Sequence, residues 1–231
     1  MPRLTQSDLD RLLDETIYSW DTATMLSGLV DFLEFSEHNL SWQREREIRR
    51  ARDEGATVEL EPPNEHLVGQ YRTQLIESAE YRFDVSLSQS VRYAGLVAFV
   101  TTAELCAKTF AKALNTRFRD APDGENEHVH LLACMNGASS SDFGDDIADL
   151  RNLVRARNCV VHAAGFLQRY KFEAQVRDAL ESLRGFAIWD EDYLGVSIRI
   201  ERGAVESYAK RAAEWVPILH KRSTECGILK A

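Results

Sequence analysis

Two side chains in the stretch Arg157-Asn158-Cys159-Val160-Val161-His162 can act together on a phosphodiester. Histidine can both donate and accept a proton near neutral pH, which makes it suited to general acid-base catalysis. Arginine is a permanent cation whose planar fork of donors fits phosphate oxygens. An arginine and a histidine that share a cleft can therefore cleave RNA without a metal ion.

The stretch lies near the end of an amphipathic helix, which we expect to begin at a cap on Ser141 or Asp142 and to end at Gly165. One face of this helix is apolar and is predicted to pack into the domain. A different side carries a polar row at successive offsets of four, three and four residues, which places its members in line. The row consists of Arg151, Arg155, Asn158 and His162.

Arg157 does not belong to this row. On an ideal helix a separation of five residues turns the side chain by about 140° and moves it about 7.5 Å along the axis. Arg157 and His162 therefore cannot simply stack on each other. Either the arginine reaches round the helix or the two meet at a crevice shared with another helix, and the spacing favours the crevice. Because a two-fold interface duplicates each group, a second copy of the chain is the natural other wall.

Composition restricts the class of protein. The chain has 231 residues, 44% of them hydrophobic, and a formal net charge of -9. The acidic balance argues against a protein that coats nucleic acid without specificity, so RNA must be held by a local basic patch. The four cysteines are far apart, which indicates reduced thiols rather than disulfides or a zinc site. With no signal-peptide pattern and no apolar run of about 18 to 20 residues, we expect a cytoplasmic protein without a membrane span.

The apolar residues recur at three- and four-residue steps, which predicts an all-α protein. We expect an up-and-down helical bundle over residues 85–225, an N-terminal helical extension over residues 1–84, and a possible short β-hairpin near residues 186–200. The finer predictions are two N-terminal helices that part near Asp21, a connector over 55–64, and a helix over 65–81. They continue with a central core helix that opens at Ser86 or Ser88, a loop-rich segment over 115–141, a helix over 169–183, and a last helix from Gly203 to His220 with a frayed tail.

Three other groups of residues have both an ordinary and a functional interpretation. The run of alternating charges over 44–52 is typical of a solvated helix face, and an RNA-binding arm is the alternative. Glu104 is four residues before Lys108 and could form a surface ion pair, or it could orient a catalytic group. His128 and His130 could belong to a metal site, but a third ligand is missing nearby, so a structural role is favoured. We expect neither a metal nor a cofactor.

At Arg157, Asn158 and His162 the chain resembles the HEPN superfamily (higher eukaryotes and prokaryotes nucleotide-binding). Its ribonuclease members carry an arginine, a polar residue that is often asparagine, three variable residues and a histidine. The position of the stretch late in an amphipathic helix, after an apolar core helix, also fits this family. The resemblance covers the predicted bundle and leaves the first 80 or so residues unexplained.

The resemblance implies a metal-independent endoribonuclease that acts as a homodimer, with the two motif helices facing each other across a cleft. His162 would be the acid and base for attack by the ribose 2'-hydroxyl, Arg157 would hold the phosphate, and Asn158 would orient one of them. Arg151 and Arg155, which the family motif does not specify, would steer the RNA backbone. Many such proteins are toxins or act against phage, so an antitoxin or defence partner is possible. Ala164 stands where toxins silenced by nucleotidyl transfer usually carry tyrosine, which puts that regulation in doubt.

Two alternatives stay open. The chain could be a catalytically silent HEPN-like module that dimerises and binds a nucleotide or a protein partner. It could also be an unrelated helical interaction protein whose motif arginines pair with Asp146 or Asp149, because an acid one turn away is enough to satisfy an arginine.

Overall fold

The computed structural model describes residues 6–61, 64–114, 121–190 and 195–228. Within these ranges the predicted all-α bundle with one short hairpin is confirmed. The helices are α1 Gln6–Thr57, α2 Val68–Tyr81, α3 Ser88–Leu114, α4 Glu127–Ala138, α5 Gly144–Ala163, α6 Glu173–Ser182 and α7 Ala204–Glu225. The strands are β1 Phe186–Trp189 and β2 Ser197–Ile200.

Helix α1 is a single helix of 52 residues, so the prediction of two helices that part near Asp21 is wrong. The sequence around this position has neither proline nor glycine, and an aspartate that could cap a helix is also tolerated inside one. The helix ends close to the predicted connector, two residues after Gly55. Pro62 and Pro63, which were expected to break the chain there, lie outside the described residues.

Helices α2 and α3 are joined without a loop by a π-helical segment, Arg82–Leu87. Ser88 was one of two predicted caps for the core helix, but its hydroxyl donates backwards to the carbonyl of Asp84 at 2.7 Å. It therefore continues the helix and does not begin one. This continuous helical stretch, Asn64–Ala111, is the one place in the described residues that is long and apolar enough to cross a membrane. The indication is weak, since the core helix of a soluble protein meets the same criterion.

Helix α3 is the centre of the bundle, as predicted. Leu96, Val100 and Phe110 are fully buried in one cluster that includes residues of α1, α4, α5 and α7. A side chain at Gly95 would lie 2.7 Å from Leu33 of α1, so the small residue permits the close approach of these two helices. Leu26, Leu29 and Leu33 of α1 belong to the same hydrophobic core.

The segment over 115–141 is not loop-rich throughout, because α4 lies within it. Asn126 caps α4, accepting hydrogen bonds from the backbone amides of His128 and Val129 at 3.0 and 3.2 Å. Pro122 and Gly137 are turn signals, so the sequence did not predict this helix. Its inner face is buried. Gly137 lies inside the helix, where an isolated glycine is tolerated at a cost of about 1 kcal/mol relative to alanine.

Helix α5 begins at Gly144 and ends at Ala163, so neither Ser141 nor Asp142 caps it. The backbone amide of Phe143 donates instead to the side chain of Asn136 at 3.1 Å. Ala164 and Gly165 then adopt left-handed backbone with φ of 51° and 83°. A side chain at Gly165 would overlap the Tyr93 hydroxyl at 2.4 Å, so glycine is required by both its conformation and its surroundings.

The C-terminal elements pack on α3. The predicted hairpin is confirmed, with Phe186 opposite Ile200 in an antiparallel pair. Gln89 of α3 exchanges two hydrogen bonds of 3.0 Å with the backbone of Ile200 and so fixes the hairpin to the core helix. Helix α6 is shorter than predicted, and α7 continues five residues past His220, so the frayed tail is wrong for that part.

Candidate active site on helix α5

Every predicted site residue is on α5, and the surroundings of the helix divide them into two groups. One side of α5 packs against α3, and another packs against α6. Arg157 contacts the α3 side, where it reaches a carboxylate. Arg151, Arg155 and Asn158 line a cleft on the α6 side. Arg157 is therefore on a different side of α5 from these three residues of the row.

Arg157 is held by two other helices. Its Nη2 donates to Oε1 of Glu104 on α3, and both side chains are only 19% exposed. The amide of Asn126 donates to the same carboxylate oxygen at 2.9 Å. Because Asn126 also caps α4, the position of the Arg157 guanidinium depends on the arrangement of α3, α4 and α5 together.

The partners of Glu104 differ from those of the predicted surface ion pair. The pair with Lys108 that the helix spacing predicted is absent among the ion pairs of the described residues, and Glu104 bonds Arg157 instead. Of the guanidinium nitrogens, Nε of Arg157 is buried and has no hydrogen-bond partner within the described chain. A buried donor without a partner is uncommon, since such groups are nearly always satisfied. The ion pair thus orients Arg157 without using all of its donors.

His162 lies in the last turn of α5, as predicted, and its side chain is exposed to solvent. Within the described residues no hydrogen bond joins it to Arg157, and it is not one of the residues that line the cleft on the α6 side. The neighbouring Val161 is 52% exposed. The structure brings Arg151, Arg155 and Asn158 together, but it does not bring Arg157 and His162 of one chain into contact.

The cleft has a volume of about 760 Å³. Its walls are α5, the start of α6 with the residues before it, and the loop over 122–126. Arg151 donates to Glu125 through Nε at 2.9 Å and through Nη2 at 2.6 Å. Arg155 instead donates to the neutral amide oxygen of Asn152 at 3.1 Å. The two arginines of the row therefore differ, because a carboxylate pairs with Arg151 and none of the described carboxylates pairs with Arg155.

The acids near the start of α5 have a separate role. Asp146 and Asp149 bind Arg211 of α7 at 2.5 and 3.2 Å. The proposal that they satisfy the motif arginines is therefore wrong. Their positions one turn apart are typical of a helix that is anchored to its neighbour, and they do not reach the arginine row.

The two histidines of α4 are adjacent to this network. His128 is buried, and burial lowers its pKa below the ordinary value of 6.5, an effect that the Glu104 carboxylate partly opposes. Nε2 of His130 lies 3.5 Å from the Cys134 sulfur, and Nδ1 lies 3.5 Å from Glu125. In the described part of the chain, no group of three or more metal-ligating side chains is close enough to hold an ion.

Four residues near the site were not anticipated from the sequence: Glu125, Asn126, Tyr170 and Phe172. Asn126 could have been found, because it precedes an acidic first turn in the pattern of a helix cap. The other three are close to α5 only through the packing of distant segments. No family model, curated protein or solved structure compared with the chain gives a significant match.

Proposed function

We propose that the protein is a metal-independent endoribonuclease of the HEPN type. His162 is the general acid and base, Arg157 stabilises the negative charge on the phosphate, and Asn158 orients the reacting groups. The ribose 2'-hydroxyl attacks the phosphorus and the bond to the 5'-oxygen breaks, which leaves a cyclic phosphate and a 5'-hydroxyl. His162 takes the proton from the attacking hydroxyl, and a proton is returned to the leaving oxygen.

One observation carries this proposal. The motif arginine bonds the Glu104 carboxylate of α3, which also accepts from the Asn126 amide before α4, whereas the motif histidine is exposed to solvent at the end of α5. An arginine that served only solubility would not need such support, and an exposed histidine is accessible to a substrate. This pairing of a fixed cation with an accessible acid-base group suits phosphodiester cleavage.

A homodimer completes the proposed site. His162 does not contact Arg157 of its own chain, so a second copy would supply the facing motif helix. Two apolar side chains near the motif favour an interface here. Val161, one turn after Arg157, is 52% exposed, and Leu105, next to Glu104, is 47% exposed. Covering both would remove apolar surface from water and exclude solvent from the phosphate.

The alternative is a catalytically silent module that dimerises and binds a nucleotide or a protein partner, such as an antitoxin or another defence component. Glu104 favours it, because a carboxylate already neutralises Arg157 and would compete with a phosphate. In the ribonuclease the phosphate must share the guanidinium through its terminal nitrogens, because Nε is buried. In the silent module the ion pair is a permanent structural contact.

Purified protein incubated with total RNA in excess chelator separates these alternatives. We expect wild type to cut RNA, and His162→Ala and Arg157→Ala to lose the activity. His38→Ala is the matched control, because His38 is also an exposed helical histidine but lies on α1. Intact RNA after incubation with wild type, or equal cutting by His162→Ala and His38→Ala, would reject the ribonuclease.

The dimer is tested independently by light scattering after gel filtration. We expect Val161→Glu to convert a wild-type dimer into a monomer, since a buried unpaired charge opposes association. Ile218→Glu is the control, because Ile218 is 43% exposed on α7, away from the motif. A monomeric wild type at every concentration tested would contradict the proposed interface, as would a dimer that tolerates Val161→Glu.

A further inference from the structure

We propose that the cleft between α5 and α6 binds one nucleotide of single-stranded RNA, with its base against Phe172 and its phosphate at Arg155. This inference rests on the proposed function only in its choice of RNA as the ligand. The catalytically silent module could bind a nucleotide in the same cleft. The volume of about 760 Å³ lies within the range of small-molecule sites, roughly 300 to 1,000 Å³. The cleft is separate from the Arg157 contact with α3.

Phe172 forms the aromatic wall of the cleft. It is 46% exposed, and its ring lies edge to face with Tyr170 at a centroid distance of 5.8 Å. Both rings line the cleft. Tyr170 restricts the movement of Phe172, and the Lys171 ammonium lies 5.2 Å from the centroid of the Phe172 ring. A base that stacks on this ring would replace the contact with Lys171.

The position of Phe172 in the chain is also informative. It occupies the residue before the first turn of α6, where a serine, threonine, aspartate or asparagine side chain would cap the helix, and no side chain caps it here. The chain thus gives up a cap worth about 1 kcal/mol of stability and exposes a large apolar ring at the same residue. Helix α5 also begins after a phenylalanine, Phe143, without a side-chain cap, so the exposure of the Phe172 ring is the cost that a ligand would explain.

The opposite wall supplies the polar contacts. Arg155 donates to a neutral amide, so its charge is available to a phosphate. Asn158 of α5 and Gln175 of α6 are on facing walls, and each amide can both donate to and accept from a base edge. The cleft therefore combines a stacking surface, a cation and two amides, which are the groups that contact a nucleotide.

The charges of the cleft limit the length of RNA that it can hold. Its lining has three carboxylates, Asp123, Glu125 and Asp178, against two arginines. Glu125 is paired with Arg151. The other charged residues that line the cleft are one cation, Arg155, and two carboxylates, Asp123 and Asp178. Such a surface repels a polyanion that tracks along it. It suits one stacked base and one phosphate, so we expect binding to depend only weakly on salt.

Fluorescence anisotropy with a labelled short oligoadenylate tests the subsite. The full-length His162→Ala chain is used as the background to prevent cleavage. We expect Phe172→Ala to weaken binding about tenfold, through the loss of one stacking contact, and Phe172→Trp to restore it. The matched control is Phe35→Ala, because Phe35 is 69% exposed on α1 and outside the cleft. Equal affinities for Phe172→Ala and Phe35→Ala, or no binding by the background chain, would overturn the proposal.

The salt dependence of the same binding supplies a second measurement. One phosphate contact to a single strand lowers the logarithm of the association constant by about 0.7 for each tenfold increase in salt concentration. This decrease is the salt slope. We expect Arg155→Gln to reduce the salt slope of the background chain by about this amount. A steep slope that Arg155→Gln leaves unchanged would show that RNA binds elsewhere and would overturn the subsite.

The binding experiment and the cleavage experiment can give negative results independently of each other. If wild type cuts RNA and Phe172→Ala binds like the control, the subsite is wrong and the ribonuclease stands. If Phe172→Ala weakens binding but wild type cuts nothing, the subsite is supported and the ribonuclease is wrong. The second result would favour the silent nucleotide-binding module.

Discussion

The two sides of α5 hold their arginines in different ways. On the α3 side, Arg157 is mostly buried against Glu104, whose carboxylate is itself fixed by Asn126. On the α6 side, Arg155 lines an open cleft and bonds only a neutral amide. The difference shows that one helix can present a cation whose position is fixed by the fold and another whose charge is free to attract a ligand.

The largest expected effect is that His162→Ala lowers activity without lowering stability, whereas Arg157→Ala lowers both. We expect His162→Ala to lower RNA cleavage about 100-fold to 10,000-fold, the usual contribution of a general acid or base. Because His162 is exposed, the free energy of unfolding of the His162→Ala variant should stay within about 0.5 kcal/mol of the wild-type value. Arg157→Ala should lose both activity and stability. Cleavage assays and urea unfolding of the two variants measure this, and a strongly destabilised His162→Ala would remove the distinction between the two sides.

The second effect is the coupling of Glu104 and Arg157. Each side chain is 19% exposed, so removing one partner leaves a charge largely away from water. A fully buried pair costs roughly 3 to 5 kcal/mol to break, and we expect about 2 to 3 kcal/mol here because some solvent remains. A double-mutant cycle of Glu104→Ala and Arg157→Ala by urea unfolding should give a coupling of about 2 kcal/mol. Additive single effects would mean that the pair does not hold the arginine.

The third effect is a pH dependence on the buried side of α5. The pKa of His128 is lowered by burial below its ordinary value of 6.5, so the unfolded chain binds a proton more readily than the folded chain. Stability should therefore be full above about pH 6.5 and decline as the pH falls below it. Thermal or urea unfolding across this range should show a flatter profile for His128→Gln. Parallel profiles for the variant and wild type would contradict the assignment.

The smallest effect concerns the anchor at the other end of α5. Arg211 is 48% exposed where it meets Asp146 and Asp149, and an exposed pair of this kind contributes about 0 to 1 kcal/mol. We expect Arg211→Ala to lower the free energy of unfolding by about 0.5 kcal/mol and to leave RNA cleavage unchanged. A loss as large as that of Arg157→Ala would show that exposure does not distinguish the two contacts.

Much of the fold could be predicted because helical periodicity is a local property. The position of α3 in the core, the hairpin and the last turn of α5 around His162 followed from the spacing of apolar and turn residues. The errors came from signals with two meanings. Asp21 can cap a helix or lie inside one, and Gly137, taken as a turn signal, lies within α4.

The candidate site was predictable only in part. The row of Arg151, Arg155, Asn158 and His162 followed from the angle of each residue on the helix, and its first three members do share a cleft. The pairing of Glu104 with Arg157 did not follow, since 53 residues separate them and the helix spacing favoured Lys108. Phe172 falls within the predicted helix over 169–183, and only the packing of α6 beside α5 shows that its ring is exposed in the cleft.

The sequence by itself determined the helices, the polar row on α5 and the separation of Arg157 from His162, because these depend on backbone periodicity within one segment. Only the tertiary structure decided which carboxylate neutralises which arginine. That choice places Glu104 on Arg157, Glu125 on Arg151 and, in the part of the chain that the structure describes, no acid on Arg155. The physical reason is that an ion pair requires two charges within a few ångströms, and the contacts between distant helices are set by how their side chains pack, which no local pattern encodes.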